Sequence, residues 1–480
     1  MNYRMIAYSV GRILVAVAAT MTIPLVLSIY YGERNAAAYL IPMLISLAIG
    51  ALVSIKTPKN KSFFVREGFI IVALAWIGIS LIGALPFYIS GQIPKYVDCF
   101  FETVSGFTTT GSSILPNVEN LSKSLLFWRS FTHWLGGMGV LVFTMAIFSA
   151  KDTRTTYMMK AEMPGPIVGK LVSKWQFSAR ILYLMYIALT VLEIIFLLFG
   201  GMPLFDSVVH AFGTAGTGGF GIKNSSIAFY NSAYIDYVIS IFMILFGMNF
   251  NIFYLMLIRK FVQIKDNEEI RWYLCIIAAS AVIISLNILP MYKSFGESFR
   301  YAFFQVSSVM TTTGYSTADF AKWPMLSQMI LVILMVIGGC AGSTGGGMKV
   351  VRVMILSKIM VRTIKNTASP RSVFSVKTDG KQLEASVVRG IMAYLVVYVM
   401  FAGISLIIVS LDNMDFTTTV TAVLATMNNI GPGLGVVGPA GNFAAFSPLS
   451  KVVLSVGMLA GRLEFYPILI LFSPYTWKRS

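Results

Sequence analysis

Five long apolar runs most strongly constrain the fold of this chain, because none of them contains a charged residue. Each is longer than 20 residues, and they lie at 69–90, 237–258, 272–292, 323–348 and 390–411. A helix needs roughly 20 apolar residues to cross a hydrocarbon core about 30 Å thick. The runs therefore predict an all-α protein that crosses a membrane several times.

The overall composition excludes a soluble protein. Only 12% of the 480 residues are charged and 56% are hydrophobic, whereas soluble domains carry roughly 25% charged residues. The three cysteines, Cys99, Cys275 and Cys340, lie in or beside apolar segments. We expect them to pack as small hydrophobic residues and to form neither a disulfide framework nor a metal site.

The net charge of +17 is distributed asymmetrically along the chain. With a cytoplasmic N-terminus, the inner segments carry 27 of the 37 Lys and Arg residues and only 8 acids. These inner segments are 1–12, 56–67, 151–180, 259–271, 349–389 and the C-terminal tail. This is the positive-inside pattern, so we expect both termini to be cytoplasmic. The inner basic patches serve topology and lipid headgroups, or alternatively they dock an acidic cytosolic partner.

The apolar segments predict ten spans in a repeating order. Two spans come first, and four pairs follow at 69–90 with 125–149, 179–200 with 233–258, 271–292 with 324–350, and 386–411 with 449–472. The first two spans are 6–31 and 36–55. This order predicts an N-terminal two-helix unit and four pore repeats, at 1–60, 61–160, 161–265, 266–370 and 371–480.

Each pair encloses an outer segment that is too apolar for a plain loop and too short to cross the membrane twice. The four segments read VDCFFETVSGFTTTGSS, FDSVVHAFGTAGTGGFG, YAFFQVSSVMTTTGYST and FTTTVTAVLATMNNIGPGLG. Each begins with a short helix-like stretch and ends in small hydroxyl or amide residues and a glycine. The aligned glycines are Gly111, Gly219, Gly314 and Gly431, at spacings of 108, 95 and 117 residues. Such internal repetition indicates one structural unit used four times.

A short helix followed by an extended, glycine-containing stretch is the arrangement of an ion filter. Non-helical backbone at membrane depth is tolerated only inside protein or along a water-filled cavity. There, backbone carbonyls replace the hydration shell of a cation, and glycine permits a close approach that a side chain would block. Threonine and asparagine side chains hydrogen-bond behind the filter and hold it open. Four repeats in one chain would surround one pore with four-fold pseudo-symmetry.

Two glycine-rich patterns resemble nucleotide-binding motifs but lack their context. GTGGFG (216–221) satisfies G-x-G-x-x-G, but it follows a short helix and has three counterparts in the chain. A dinucleotide fingerprint needs a strand before it and an acidic residue about 20 residues later. The run 338–347 approximates a P-loop, but Met348 intervenes before Lys349. We therefore expect no nucleotide to bind to this chain.

Six motifs carry a family resemblance as a set. They are SGFTTTGSS (105–113), GTGGFG (216–221), TTTGYST (311–317), NNIGPGLG (428–435), GGCAGSTGGGMKVVR (338–352) and GMLAGRLEFYP (457–467). Over essentially the whole chain, the sequence resembles the Trk/Ktr/HKT superfamily of potassium transporters, and most closely its TrkH-type membrane subunit. The resemblance implies four units of outer helix, pore helix and second helix around one pore. It also implies a homodimer and a cytosolic, TrkA-type nucleotide-binding regulatory subunit.

The same resemblance implies a selectivity filter by matching position. Its ion-binding residues would be Thr109, Thr110, Gly111, Thr217, Gly218, Gly219, Thr312, Thr313, Gly314, Asn429, Ile430 and Gly431. Glycine at all four aligned positions is similar to the potassium-selective members, whereas a serine at the first position goes with sodium permeation in related plant proteins. The second segment, GTGG, departs most from the threonine-rich pattern, and this puts its side-chain support in question.

The stretch GGCAGSTGGG in the third repeat is expected to interrupt its span. Each glycine costs a helix interior about 1 kcal/mol relative to alanine. An irregular stretch below a filter would obstruct the path, and the resemblance implies a gating loop at this place. The gate residues would be Gly342, Ser343, Thr344, Gly345, Gly346, Gly347, Lys349 and Arg462.

Several charged residues have two interpretations each. Because a charge at bilayer centre costs at least about 2.5 kcal/mol, Arg462 should face the pore as a barrier or bond carbonyls of a broken helix. Glu464 is on a different helix face and is a poor direct partner for it. Lys349 and Arg352 either pair with the regulatory subunit or mark the membrane boundary.

The remaining polar residues of the membrane-associated segments also have alternatives. Glu193 either bonds a neighbouring helix or couples protons. The outer acids either steer cations to the pore or are solvated loop charges, and they are Asp98, Glu102 and Asp206. His133 and His210 lack metal-ligand companions.

The leading interpretation is a potassium-selective, ion-translocating subunit that mediates K⁺ uptake and is gated by a cytosolic nucleotide-sensing partner. The alternative is a secondary transporter that couples K⁺ uptake to H⁺ or Na⁺ by symport. No catalytic set occurs at a useful spacing, so an enzyme is not expected. K⁺ would be the transported substrate, held at the filter residues, and we expect no organic cofactor in this chain.

Overall fold

The N-terminal unit is a pair of antiparallel apolar helices. The computed structural model describes residues 1–55, 58, 65–139, 175–371 and 374–477. Helices α1 (Tyr3–Thr20) and α2 (Thr22–Tyr30) together form one apolar stretch of 28 residues. Helix α3 (Ala36–Ser54) returns beside it and packs along α1.

Four units with the same order of helices follow this pair. Each has a long first helix, a short helix, an extended segment and a second helix. The first unit contains α4 (Val65–Gly83), α5 (Leu85–Ile89), α6 (Tyr96–Phe107) and α7 (Lys123–Gly137). The second contains α8 (Trp175–Phe199), α9 (Leu204–Gly216), α10 (Ala233–Phe246), α11 (Phe250–Leu257) and α12 (Phe261–Lys265).

The third and fourth units repeat this order. The third contains α13 (Glu268–Ile288), α14 (Phe295–Met310), α15 (Met325–Ile337) and α16 (Val350–Ala368). The fourth contains the antiparallel strands β1 (Lys377–Thr378) and β2 (Lys381–Gln382), then α17 (Ala385–Val409), α18 (Phe416–Met427), α19 (Pro448–Arg462), α20 (Tyr466–Phe472) and α21 (Pro474–Trp477). Short 3₁₀ helices lie at Val118–Asn120, Ser226–Tyr230, Leu289–Met291, Phe320–Lys322, Ser410–Asp412 and Gly435–Val437.

The four short helices, α6, α9, α14 and α18, join the units into a ring. Each packs against the second helix of the unit before it: α9 on α7, α14 on α10, α18 on α15, and α6 on α19. The last of these contacts connects the first unit to the fourth and includes an ion pair of 2.6 Å between Asp98 and Lys451. The chain therefore closes on itself, which confirms the predicted all-α fold of four repeats preceded by two helices.

The second helices of the second and fourth units, predicted as uninterrupted spans, are interrupted, whereas the interruption in the third unit is the one that its glycine-rich stretch predicts. Among the described residues, six helices are long and apolar enough to cross a membrane, and these are the two N-terminal spans and the first helix of each unit. Helices α10 and α11 are bent by 90° at Gly247, where the backbone carbonyl accepts a hydrogen bond of 3.0 Å from the amide of Cys340. Helix α15 ends before a glycine-rich loop, and α19 ends at Arg462.

Parts of the predicted organisation lie outside the described residues. These are most of the inner segment 56–67 with the boundary at 60, residues 140–149 of the span predicted at 125–149, the basic residues of 151–174 with the boundary at 160, and the basic C-terminal tail at 478–480. The five-part division of the chain stays a prediction for this reason.

The N-terminal pair depends on two glycines that let α1 and α3 touch. A Cβ atom on Gly50 would lie 2.6 Å from Cγ2 of Val15 and 2.7 Å from the carbonyl oxygen of Gly11. Because overpacking costs about 1–3 kcal/mol, we expect Gly50→Ala to lower the melting temperature of the detergent-solubilised protein. The matched control is Gly403→Ala in α17, where no described atom lies within 4 Å of the new Cβ. The control should be neutral or stabilising, and equal losses for both variants would contradict the prediction.

Candidate ion pathway

The four extended segments share one backbone conformation although their sequences differ. Two residues before each aligned glycine, φ is left-handed: 56° at Thr109, 54° at Thr217, 61° at Thr312 and 56° at Asn429. The glycines Gly111, Gly219, Gly314 and Gly431 have φ values of 81°, 74°, 84° and 100°. The glycines aligned in the sequence therefore occupy equivalent places in the backbone. We refer to residues 109–111, 217–219, 312–314 and 429–431 as the candidate filter.

One hydrogen bond, repeated in every unit, fixes how the candidate filter leaves its short helix. The amide of the residue before each glycine donates to the carbonyl five residues earlier. These bonds are Thr110 to Ser105, Gly218 to Gly213, and Thr313 to Ser308, each 2.8 Å, and Ile430 to Ala425 at 2.9 Å. The bond is made by backbone alone, so it forms with threonine, glycine or isoleucine at this position.

The glycines of the candidate filter form a closed ring of contacts with backbone carbonyls. A Cβ atom on any of these glycines would fall against the carbonyl oxygen of the residue before the glycine of the next unit. The pairs are Gly111 with Gly218, Gly219 with Thr313, Gly314 with Ile430, and Gly431 with Thr110. Since the fourth pair returns to the first unit, the four segments surround one axis, and a side chain at any of the four glycines would collide with the ring.

Buried carbonyl oxygens in this ring lack partners within the described residues. Those of Thr110, Thr313 and Ile430 accept no hydrogen bond there, and all three residues are 0% exposed. The Oγ1 atom of Thr109 and the Oδ1 atom of Asn429 are also buried without a hydrogen-bond partner. Because buried polar groups are nearly always paired, these oxygens are suited to bind a group from outside the chain. A cavity of about 120 Å³ is lined by all four glycines of the ring.

Side chains support the candidate filter from behind in the first, third and fourth units. The hydroxyl groups of Thr108 and Thr110 are 2.8 Å apart, and those of Thr311 and Thr313 are also 2.8 Å apart. The amide group of Asn429 donates 2.9 Å to Oγ1 of Thr110, which links the fourth unit to the first. The threonine and asparagine side chains thus hold the extended backbone in place, as their residue types predict.

The second unit replaces threonine support with a histidine from the first unit. A Cβ atom on Gly218 would lie 2.5 Å from Cγ of His133, so the imidazole ring occupies the space that a threonine side chain would take. The Nδ1 atom of His133 is 2.7 Å from the carbonyl oxygen of Gly106, and its ring packs on Phe220 with centroids 4.2 Å apart. The divergent GTGG sequence is therefore a packing adaptation to a buried histidine.

Tyr315, which directly follows a filter glycine, anchors the second unit to the third. Its hydroxyl group lies 3.0 Å from the carbonyl oxygen of His210 and 3.3 Å from that of Phe220. The imidazole of His210 in turn lies 3.2 Å from the hydroxyl group of Tyr230, which donates 2.7 Å to Asp206. Asp206 therefore serves a hydrogen-bond network beside the filter.

A buried ion pair within the first unit lies beside the ring, and its arginine also bonds the second unit. The Nε atom of Arg129 lies 2.6 Å from Oε1 of Glu102, and its NH1 atom donates 2.9 Å to the carbonyl oxygen of Gly221. Glu102 is 1% exposed and also accepts from the amide of Ile114 at 3.0 Å. The interpretation of Glu102 as a solvated or cation-steering charge is wrong, because Arg129 neutralises it inside the protein.

The glycine-rich stretch forms an irregular loop at 338–349, which we refer to as the gate loop. The amide of Gly346 donates 2.6 Å to Oγ1 of Thr312, a residue of the candidate filter. The hydroxyl group of Thr344 donates 3.1 Å to the carbonyl oxygen of Phe246 in the second unit. A Cβ atom on Gly346 would fall against the carbonyl oxygen of Asn428 in the fourth unit. The gate loop thus lies directly below the ring, against three units.

Arg462 connects the gate loop to the remaining unit. Its NH1 atom donates 2.7 Å to the carbonyl oxygen of Thr344. Its NH2 atom donates to Gly136 at 2.6 Å and to Gly137 at 2.7 Å, at the end of α7. Arg462 is 9% exposed, so these bonds are made away from solvent. The expectation that it bonds carbonyls of the broken helix agrees with its bond to Thr344, and its other two bonds go to the end of α7 in the first unit.

The burial of Lys349 and Arg352 contradicts the expectation that they pair with a regulatory subunit, whereas their position at the membrane boundary stays a prediction. Lys349 is 2% exposed and donates to the carbonyl oxygen of Gly345 inside the gate loop. Arg352 is 4% exposed, pairs with Glu464 at 2.5 Å and lies 4.0 Å from the ring centroid of Tyr394. Both side chains are internal, because α16 turns inward directly after the gate loop. Glu464 is indeed not the partner of Arg462.

The comparisons with known proteins agree with this geometry. A family model described as a cation transport protein family, TrkH, matches residues 36–478. The chain belongs to the TrkH family. The TrkH-type resemblance that the motifs predict is therefore confirmed.

Relatives of the TrkH family match over their full length. The chain is 34% identical over 485 residues to the Trk system potassium uptake protein TrkH of Salmonella typhimurium, with 100% of both chains covered. It is 32% identical to TrkG of Escherichia coli, with 99% of both covered. The crystal structure of the potassium transporter TrkH from Vibrio parahaemolyticus superposes with a TM-score of 0.90 at 31% identity, again over 100% of both chains.

Sequence reasoning missed the supporting role of three residues around the candidate filter, namely His133, Arg129 and Tyr315. His133 and Arg129 are four residues apart on α7, and this spacing places both on one helix face. A usable signal was present, because two polar residues on one face of an apolar span must meet polar partners. Tyr315 carried no such signal, since its partners are carbonyls of a different repeat.

The contact between His133 and Gly218 gives a testable prediction. We expect Gly218→Thr to destabilise the protein by about 1–3 kcal/mol, because the threonine would overlap the imidazole ring. His133→Ala in the same chain should remove most of that loss, and a thermal-unfolding double-mutant cycle measures the coupling. Additive effects of the two changes would show that His133 does not determine the sequence of the second filter segment.

Proposed function

We propose that this chain is the ion-translocating subunit of a potassium uptake system in the cytoplasmic membrane of a prokaryote. The observation that carries the proposal is the closed ring of four filter segments, with buried carbonyl oxygens that have no hydrogen-bond partner among the described residues. Its family membership supports the same activity, since the relatives named above are potassium uptake proteins. The activity is transport, and we propose no catalytic role for the chain.

The selectivity filter in this proposal consists of the residues of the candidate filter. Carbonyl oxygens of a ring replace the hydration shell of K⁺, and those before the four glycines are the first ligands. The unpartnered oxygens of Thr109 and Asn429 add ligands below them. Glycine at all four ring positions is the feature that favours K⁺ over Na⁺.

The gate in this proposal is the gate loop together with Arg462. The loop touches the filter through Thr312 and is tied to the first unit through Arg462. The guanidinium group also places a positive charge below the filter, which raises the free energy of a cation there. Opening requires the loop to leave the axis and the carbonyl oxygens of Gly136 and Gly137 to find other donors.

The regulatory partner in this proposal is a cytosolic, TrkA-type nucleotide-binding subunit, and two copies of the chain form a homodimer. The excess of basic residues in the inner segments supports a cytoplasmic position for the gate side and both termini. The relatives are named as members of a Trk system, which supports a second component. A nucleotide would act through that component, because GTGGFG belongs to the ring of carbonyls.

Coupled transport of K⁺ with H⁺ or Na⁺ is the second candidate, and Glu193 is the observation that favours it. The residue is 0% exposed within α8 and lies beside Thr214 of the second short helix. A carboxyl group at membrane depth is a functional candidate by default. Proteoliposomes distinguish the two mechanisms, because K⁺ uptake driven by a K⁺ gradient alone, without H⁺ or Na⁺ movement, is expected only for uncoupled permeation.

The filter assignment predicts a change in selectivity for Gly314→Ser. The new Cβ would collide with the carbonyl oxygen of Ile430 and distort the ring. We expect the K⁺/Na⁺ uptake ratio of proteoliposomes to fall roughly tenfold, which corresponds to about 1.4 kcal/mol. Gly390→Ser is the matched control, since no described atom lies within 4 Å of a Cβ there. An unchanged ratio in a folded Gly314→Ser variant would remove Gly314 from the filter.

The gate assignment predicts that Arg462→Ala raises K⁺ flux in the absence of the partner. The change removes the positive charge and the hydrogen bonds to three carbonyl oxygens. A buried carbonyl oxygen left without a donor costs about 1–3 kcal/mol, so the arrangement that holds the loop below the filter is destabilised. Arg462→Lys keeps the charge but cannot make all three bonds, so it should raise flux less. A folded Arg462→Ala variant with lower flux would contradict the barrier and assign Arg462 a purely structural role.

A further inference from the structure

A second cavity, far from the filter in the chain, lies between the third and fourth units. It has a volume of about 310 Å³ and is bounded by α13, by α16 and by the chain leading into β1. Its walls include aromatic and aliphatic side chains, namely Trp272, Val361, Phe374 and Val376. Four cationic side chains also line it: Lys358, Arg362, Lys365 and Lys377. Apolar walls beside several positive charges suit an amphiphilic anion.

Most of the positive charge in this cavity is not neutralised by the described residues. Lys358 pairs with Glu268 and donates 2.8 Å to the carbonyl oxygen of Lys377. The Nε atom of Arg362 is shielded from solvent and has no hydrogen-bond partner there. Lys365 lies 5.9 Å from the ring centroid of Phe374. No acidic side chain among the described residues forms an ion pair with it. A shielded guanidinium donor without a partner is suited to a phosphate group.

The cavity lies at the level of the membrane surface. Helix α13 begins at Glu268 and continues as an apolar span to Met291. Trp272 is one turn inside that start and is 38% exposed. Tryptophan is enriched at the boundary between headgroups and hydrocarbon, and basic residues there attract anionic lipids of the inner leaflet.

We propose that this cavity binds an anionic phospholipid of the inner leaflet, with its phosphate between Arg362 and Lys365 and an acyl chain beside Trp272. The choice of leaflet rests on the orientation given under the proposed function. The charges of the cavity select an anionic headgroup over a zwitterionic one, and the apolar walls select a lipid over a soluble phosphate.

The site is mechanically connected to the gate loop. Helix α16 begins at Val350, directly after that loop. Val376, which lines the cavity, is buried in one cluster with Ala341 of the gate loop and Met354 of α16. A ligand stabilises the arrangement to which it binds better. Occupancy of the cavity therefore holds α16 in the arrangement in which the gate loop lies below the filter.

Native mass spectrometry of the full-length protein, titrated with dioleoylphosphatidylglycerol or dioleoylphosphatidylcholine, tests binding. We expect one tightly retained phosphatidylglycerol and no comparable phosphatidylcholine. The double variant Arg362→Gln/Lys365→Gln should bind phosphatidylglycerol about 30-fold more weakly, since each basic residue contributes about a factor of five. The control variant Arg271→Gln/Arg389→Gln removes the same charge from exposed inner positions and should keep the lipid.

Proteoliposome flux tests the connection to the gate and separates this proposal from the proposed function. Wild-type K⁺ flux should fall as the phosphatidylglycerol fraction rises, whereas the cavity variant should not respond. In pure phosphatidylcholine both proteins should conduct K⁺ equally, so a failed lipid response leaves K⁺ uptake itself measurable.

Four results would overturn the proposal. Equal lipid loss in both double variants would indicate only general surface charge. Displacement of the lipid by millimolar inorganic phosphate or by a nucleoside triphosphate would assign the cavity to a soluble phosphate compound. A change of oligomeric state in the cavity variant, measured by light scattering, would assign the surface to a second copy of the chain. An equal flux response in wild type and cavity variant would disconnect the cavity from the gate.

Discussion

The contact between a glycine of one unit and a backbone carbonyl of the next is the constraint on which the rest of the structure depends. It occurs four times and closes between Gly431 and Thr110, so no unit can shift without displacing its neighbours. The contact leaves no room for a side chain, which explains glycine at all four positions. It also explains why the supporting residues differ between units. Threonine pairs, Asn429 and His133 are different solutions to holding the same backbone.

The ends of the second helices add a different requirement. Their last carbonyl groups have no donor within the helix, so they need donors from elsewhere in the chain. Gly247 is satisfied by Cys340, and Gly136 and Gly137 are satisfied by Arg462. The donors come from the gate loop or bond to it, so the same residues that complete the helices also hold the loop below the filter. Displacement of the loop would therefore break bonds in several units at once.

Much of this architecture was predictable from the sequence, because its repeats and glycines reflect backbone requirements. The four outer segments, the irregular stretch at 338–347 and the carbonyl-bonding role of Arg462 all follow from such requirements. The interruptions of the second helices in the second and fourth units were missed, since the apolar composition of these segments is that of continuous spans. The pairs Arg129–Glu102 and Arg352–Glu464 were missed for another reason. Each joins residues from separate segments of the chain, and neither repeat period nor helical spacing indicates which charges of a buried set will meet.

The central claim is that cations pass through the ring of carbonyls before the four glycines. Anomalous diffraction from crystals grown in rubidium, a K⁺ substitute, tests it most directly. The account predicts an anomalous peak on the axis, surrounded by the carbonyl oxygens of Thr110, Gly218, Thr313 and Ile430, which weakens when rubidium is exchanged for sodium. A well-ordered ring without such a peak, or with a rubidium site elsewhere in the membrane region, would contradict it.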